Sequence, residues 1–183
     1  MKMLKKLLAV VLTGAMALTL LTACGSNAVN DKNIADALND IVKSSVAAGL
    51  TKDYTFKPRT DEQAMAKAIA ALSDEDLKEL EESLKNSSLP EKAKEILGIN
   101  AGGANANNFV WCGATYTDEL GTSGQALNFM TQVMDKSANA DKLRGKNPAD
   151  DRYMGTALYK TVDENGKQVT KRIIVVTAEA VDE

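Results

Sequence analysis

The chain has 183 residues, a formal net charge of −3, 44% hydrophobic and 26% charged side chains, and 4% aromatics. These values fit an ordinary folded domain and exclude a disordered tail or a multi-span membrane protein. No histidine is present, so the commonest general base and zinc ligand are both missing, and two cysteines do not make a disulfide framework.

The first segment carries an address. Lys2, Lys5 and Lys6 form a basic start, and no acidic residue precedes Asp31. From Leu7 to Leu21 runs leucine, alanine, valine and methionine, broken by Thr13, Gly14 and Thr19. A charged start followed by such an apolar run is the pattern of a secretory signal. Leu21-Thr22-Ala23-Cys24 closes the run and Gly25-Ser26-Asn27 opens a polar stretch. This resembles the lipobox of bacterial lipoproteins: an aliphatic residue, two small ones, then cysteine. The resemblance implies cleavage between Ala23 and Cys24, a diacylglycerol on the Cys24 sulfur and acylation of the new N-terminus. Two acyl chains at one site anchor stably where one is marginal. The competing reading, an uncleaved membrane anchor, has 17 residues from Leu7 to Ala23, the short limit for a ~30 Å hydrocarbon core.

Residues 1–23 thus read as a lipoprotein signal peptide, 24–30 as a tether and 31–183 as a single α+β domain. Subtracting the three lysines of residues 1–23 from 22 basic residues leaves 19 against 25 acidic, a net of −6. An acidic body disfavours nucleic acid and anionic membrane surfaces.

Asp31 reads as the cap of a helix running to about Ala48, with Ile34, Leu38, Ile41, Val42, Ser45 and Val46 on one face and Gly49 at the C-terminal cap. Residues 50–59 read as irregular, punctuated by Pro58. Thr60-Asp61-Glu62-Gln63 reads as a capping box before a buried stripe of Ala64, Met65, Ala68, Ile69 and Leu72. Ser73-Asp74-Glu75-Asp76 caps another helix carrying Leu77, Leu80 and Leu84. Pro90 begins a shorter one, with Ala93, Ile96 and Leu97 apolar and Gly98 ending it. Asn100 to Asn108 reads as a hinge loop and Phe109 to Thr117 as a strand. A helix is expected from Ser123 through Ser137, then a charged loop over 138–151. Tyr153 to Thr161 and Val169 to Ala178 form a hairpin around Asp163-Glu164-Asn165-Gly166. The order argues for α+β: N-terminal helices packed with a small antiparallel sheet.

Nucleophile elbows, phosphate-binding loops and dinucleotide fingerprints are absent, and a Ser–His or Cys–His pair is impossible without histidine. No catalytic residue, cofactor or metal is assigned. Asp150-Asp151 with Asn147, and Asp163 with Asn165, offer oxygens to calcium but lack the ligand count of an EF-hand loop and read as a solvated loop and a turn. Cys112 reads as a small buried hydrophobe, with a reactive thiol as the alternative. Trp111, Tyr116 and Tyr153, all on expected strands, are the candidate ligand contacts if exposed.

From Gly103-Ala104-Asn105, through Met134-Asp135-Lys136-Ser137-Ala138-Asn139-Ala140 and Leu143, to Tyr153–Leu158 and Ile173–Val176, the order of motifs resembles the CAP superfamily (cysteine-rich secretory, antigen and pathogenesis-related proteins). That resemblance implies an α-β-α sandwich around a short sheet. Ala104 stands where the family has glutamate and Ala140 where it has histidine, so a member of this kind would lack the family's cation site.

The expected function is a lipid-anchored, extracytoplasmic binding or interaction protein of the bacterial cell envelope. Its expected partners are the membrane, through Cys24, and an envelope glycan, peptide or protein. The alternatives are a carboxylate-dependent envelope enzyme such as a glycan hydrolase, or a structural or assembly lipoprotein.

Overall fold

The computed structural model describes residues 31–85, 89–117, 120–134, 137–163 and 165–182. The signal, Ala23 and Cys24 therefore lie outside the described residues, as does the tether. Among the described residues the elements run α1 (Asp31–Ala47), β1 (Thr55–Pro58), α2 (Thr60–Ala70), α3 (Asp74–Lys85), α4 (Glu91–Leu97), β2 (Asn108–Tyr116), α5 (Thr122–Gln132), a 3-10 turn (Ala140–Lys142), β3 (Lys146–Val162) and β4 (Gln168–Asp182). The class is α+β, with one sheet in the order β1-β3-β4-β2.

Alternation along β4 organises the interior. Ile174, Val176 and Ala178 face α1 and α5, where they meet Ile34, Leu38, Val42, Phe129 and Met130. Ile173 and Val175 face the other way, onto Ala66, Ile69, Leu77, Leu80, Ala93 and Leu97 of α2, α3 and α4. Successive strand residues point to opposite sides, so one uninterrupted apolar strand supplies both cores. Helices cover both faces.

Local signals explain most termini. Gly49, Gly98 and Gly166 take positive φ values of 68°, 65° and 78°; the first two end α1 and α4, and the third closes the β3–β4 hairpin. The Ser73 hydroxyl accepts the Asp76 backbone N–H at 3.2 Å, a cap for α3.

Several expectations are corrected. Residues 55–58 are a strand, pairing parallel with Asp151–Met154 of β3, so the sheet is mixed rather than antiparallel. Asn39 makes this possible: its side chain donates to Phe56 O at 3.0 Å and accepts Phe56 N–H at 2.7 Å. The Thr60–Gln63 capping box does not form. Arg59 is the N-cap, without a side-chain cap bond. Glu62 turns inward, fully buried, and Gln63 donates to Asp31 at 2.7 Å. The buried face of α2 is Glu62, Ala66 and Ile69, because Glu62 has partners that a local pattern cannot show: Arg59 through both carboxylate oxygens, and the Thr177 hydroxyl at 2.6 Å. The helix expected through Ser137 stops at Gln132, and Ser137 is buried outside it. The expected charged loop holds the 3-10 turn and the start of β3, which bulges between Pro148 and Arg152. The expected hinge is packed tight: a Cβ on Gly103 would lie 2.3 Å from Gly98 O, and Asn105 is buried with its amide on Leu97 O at 2.9 Å.

Candidate functional site

Two adjacent rows of the sheet build the site on the α1/α5 face. Register aligns Phe56, Arg152, Ala178 and Phe109 across all four strands. The next row is Met154, Val176 and Trp111. Arg152 resumes the regular pairing after the bulge and alternates with Met154, which sets its side chain on this face. Ala178, beside Arg152, is small enough for the guanidinium to lie between the flanking aromatics.

The guanidinium carbon of Arg152 sits 3.5 Å over the Tyr54 ring, 5.2 Å from the Trp111 ring and 6.0 Å from the Phe56 ring. Tyr54 meets Phe56 edge-on at 5.6 Å, and Phe109 stacks on Trp111 at 5.9 Å. Such cation–π contacts stabilise a desolvated cation by roughly 0.5–2 kcal/mol each. The Tyr54 phenol also bonds the guanidinium, alongside these ring contacts. Arg152 Nε and Trp111 Nε1 are both buried without a hydrogen-bond partner. Burial pulls the Arg152 guanidinium below its usual range and pushes the Tyr54 phenol up, the latter opposed by Arg152. A buried donor left unmatched costs roughly 1–3 kcal/mol, so two in one aromatic cluster define a place suited to an oxygen acceptor.

A second polar group lies further along the same face. Asp31, the first residue of α1, accepts the Thr156 backbone N–H at 3.0 Å and its hydroxyl at 2.6 Å. Arg172 donates to that hydroxyl at 2.7 Å and to Gln125 at 2.9 Å. Asp31, Gln63, Lys67, Thr156, Ala157, Leu158 and Arg172 line an open cleft of about 390 Å³. Here every buried donor named has an acceptor, so this network is structural: it ties α1, α2, α5, β3 and β4 together. Asp31→Ala is expected to lower unfolding stability by ~2 kcal/mol, the range for a charged acceptor lost from buried donors, with Asp31→Asn losing less; urea titration measures it.

The candidate ligand contacts separate. Trp111 is buried and joins the Arg152 cluster. Tyr153 is on the opposite face, beneath Arg59 at 4.0 Å. Tyr116 pairs through its backbone with Lys171, and its side chain lies outside the described residues. Arg152, Tyr54 and Phe56 were not legible as a site. Arg152 sits in a charged stretch, and the other two precede or occupy a strand with one buried residue. The available signal was Phe109 and Trp111, two residues apart on a strand and hence on one face.

Cys112 is buried, and burial pushes its thiol up to about 12. Asp151 is held by Lys57 and Thr55, at 2.6 and 3.1 Å, and Asp163 accepts the backbone N–H groups of Asn165 and Lys167. Among the described residues no group of three or more Cys, Asp or Glu is placed to hold a metal, and no helix is long and apolar enough to cross a membrane. Comparison with family models, curated proteins and solved structures finds no match to this chain.

Proposed function

We propose that the chain is a lipid-anchored extracytoplasmic domain of the bacterial cell envelope. It binds a ligand that presents a carboxylate or carbonyl oxygen to Arg152 and Trp111. The observation that carries the binding is the pair of buried, unmatched donors, Arg152 Nε and Trp111 Nε1, inside an aromatic enclosure. A guanidinium with a free N–H, walled by rings, suits a planar oxyanion on an otherwise apolar or sugar-like body. The address rests on Leu21-Thr22-Ala23-Cys24.

Two measurements test this reading. Cys24→Ser is expected to move the natural protein out of the membrane fraction and remove the acyl mass from its N-terminus; unchanged fractionation refutes the anchor. For binding, glucuronate and a short peptide with a free C-terminus are compared with their neutral amides by thermal shift. The acids are expected to stabilise by ~2.7 kcal/mol at a hundredfold excess over Kd, and the amides by much less. Trp111→Phe keeps the ring stack but loses the N–H. It is expected to abolish the shift while changing the unliganded stability by less than ~1 kcal/mol, since a lost contact and a lost unmatched donor offset. Equal shifts by acids and amides, or a full shift in Trp111→Phe, would refute the site.

A further inference from the structure

The sheet has edges, and side chains that imitate a strand close parts of them. Asn39 closes the outer edge of β1 at Phe56 through both its carbonyl and its amide. On β2, Asn139 accepts Val110 N–H at 3.2 Å and donates to Asn108 O at 2.6 Å, while Ala138 N–H adds a bond to Val110 O at 2.7 Å. Beyond the end of β1, Arg59 N–H meets Met154 O at 2.9 Å and Asp31 caps Thr156 N–H. These last two bonds fix the parity: even-numbered residues of β3 turn their backbone groups outward. The strand continues to Val162, and among the described residues no group pairs with the outward N–H and C=O of Leu158, Lys160 and Val162.

The side chains on this stretch fit the same picture. Leu158 is 47% and Val162 62% exposed, two of the three exposed large hydrophobics among the described residues, and they flank the exposed Lys160 on one face. Lys67 of α2 is exposed in the adjoining cleft. The acids nearby are engaged: Asp31 with Thr156 and Gln63, Asp163 with its own turn, and Glu81 with Tyr159 and Lys171 at 2.6 and 2.7 Å. Between the apolar Leu158 and Val162 side chains, the charge that this stretch of the edge presents is the Lys160 ammonium. A second copy of the chain is a poor occupant, because two-fold antiparallel pairing centred here sets Lys160 directly opposite its twin, and like charges so placed are destabilising.

We propose that the Leu158–Val162 edge of β3 receives an extended segment of a partner protein as a fifth strand. The segment carries an acidic residue between two apolar ones at alternate positions, so that the acid faces Lys160 and the apolar pair covers Leu158 and Val162. Main-chain hydrogen bonds supply the affinity and the alternate side chains the register. This surface is separate from the Arg152 site and does not depend on it.

The test uses the full chain in detergent with two capped heptapeptides, Thr-Val-Thr-Glu-Thr-Val-Thr and its twin with lysine replacing glutamate. The glutamate peptide is expected to slow amide hydrogen exchange at Leu158, Lys160 and Val162 by at least ~10-fold, and to bind ~5-fold tighter than the lysine peptide. Lys160→Glu should invert that preference. Lys160→Pro, tolerable on an edge, should abolish binding while exchange at Ile173 and Val175 in the core stays unchanged. Trp111→Phe should bind normally. The proposal is overturned by absence of protection with both peptides, by a preference indifferent to Lys160→Glu, or by loss of binding in Trp111→Phe instead of Lys160→Pro. Protection that grows with protein concentration alone also overturns it, in favour of self-pairing.

Discussion

Gly155→Ala is expected to destabilise the protein by ~3 kcal/mol or more, the upper range for inserting an atom into a packed interior. A Cβ there would lie 2.0 Å from Gln63 N and 2.3 Å from both Gln63 Cα and the Glu62 carbonyl carbon. All three are backbone atoms, so no rotamer change relieves the contact; the first turn of α2 must lift off β3. That turn carries Glu62, whose carboxylate holds Arg59 and Thr177 in the interior, and Gln63, which holds Asp31. Lifting it breaks both sets together. Gly113→Ala is the internal control. Its Cβ would meet Val133 Cγ2 at 2.4 Å and the Phe129 ring at 3.3 Å, side chains that are able to shift. The expected cost there is ~1–2 kcal/mol. Urea unfolding separates the two through their midpoints at unchanged slope. Equal midpoints would mean that α2 is not seated on Gly155.

The same contact shows what a linear pattern conveys and what it hides. The helix over Asp31–Ala47 was legible because Ile34, Leu38 and Val42 repeat at helical spacing and Gly49 terminates it; nothing distant is needed. The Gly166 turn was legible for the same local reason. By contrast, β1 buries Phe56 alone and ends in Pro58, so its four residues show no alternation. It exists because β3 lies on one side and Asn39 on the other. Glu62 defeats the pattern on α2 because a carboxylate reads as solvent-facing until Arg59 and Thr177 are brought to it. Buried charge is stable only when matched, and the match here spans 115 residues to Thr177. The Arg152 site is hidden for a related reason. Its members come from residues 54, 56, 111 and 152, and only the sheet register aligns them. Trp111 was singled out from the sequence and Arg152 was not, since one tryptophan among aromatic and β-branched neighbours stands out whereas one arginine among Asp150, Asp151 and Lys146 does not.

Cys112 is expected to behave as a core residue whose chemistry is silenced by its surroundings, and two readouts follow from one cause. Val110, Ile173, Val175 and Leu97 belong to the same apolar cluster, and burial alone raises the thiol from the ordinary 9.0 to about 12. Three units correspond to about a thousandfold less thiolate at neutral pH, and the thiolate is the nucleophile. In a Cys24→Ser background, which leaves one thiol, a disulfide reagent should react only as fast as the sheet opens. Adding urea below the unfolding midpoint should raise the rate in step with the unfolded fraction. Fast labelling in native buffer would place the thiol at the surface and reopen a reactive role. The sign of the pH dependence follows from the same shift. Between about pH 9 and 12 the native state keeps its proton while the unfolded chain releases it, so stability falls as pH rises through that window and is intact below it. The thiol's share is on the order of 4 kcal/mol across the window. Lysines and tyrosines titrate over the same range, so the measured quantity is the difference between the wild-type chain and Cys112→Ala. Below pH 9 the variant should be the less stable of the two, for lack of the sulfur's packing. Its alkaline limb should be shallower, so that the two stability curves converge and then cross as the wild-type thiol is forced to ionise. Parallel curves would show that the Cys112 proton is not held by burial.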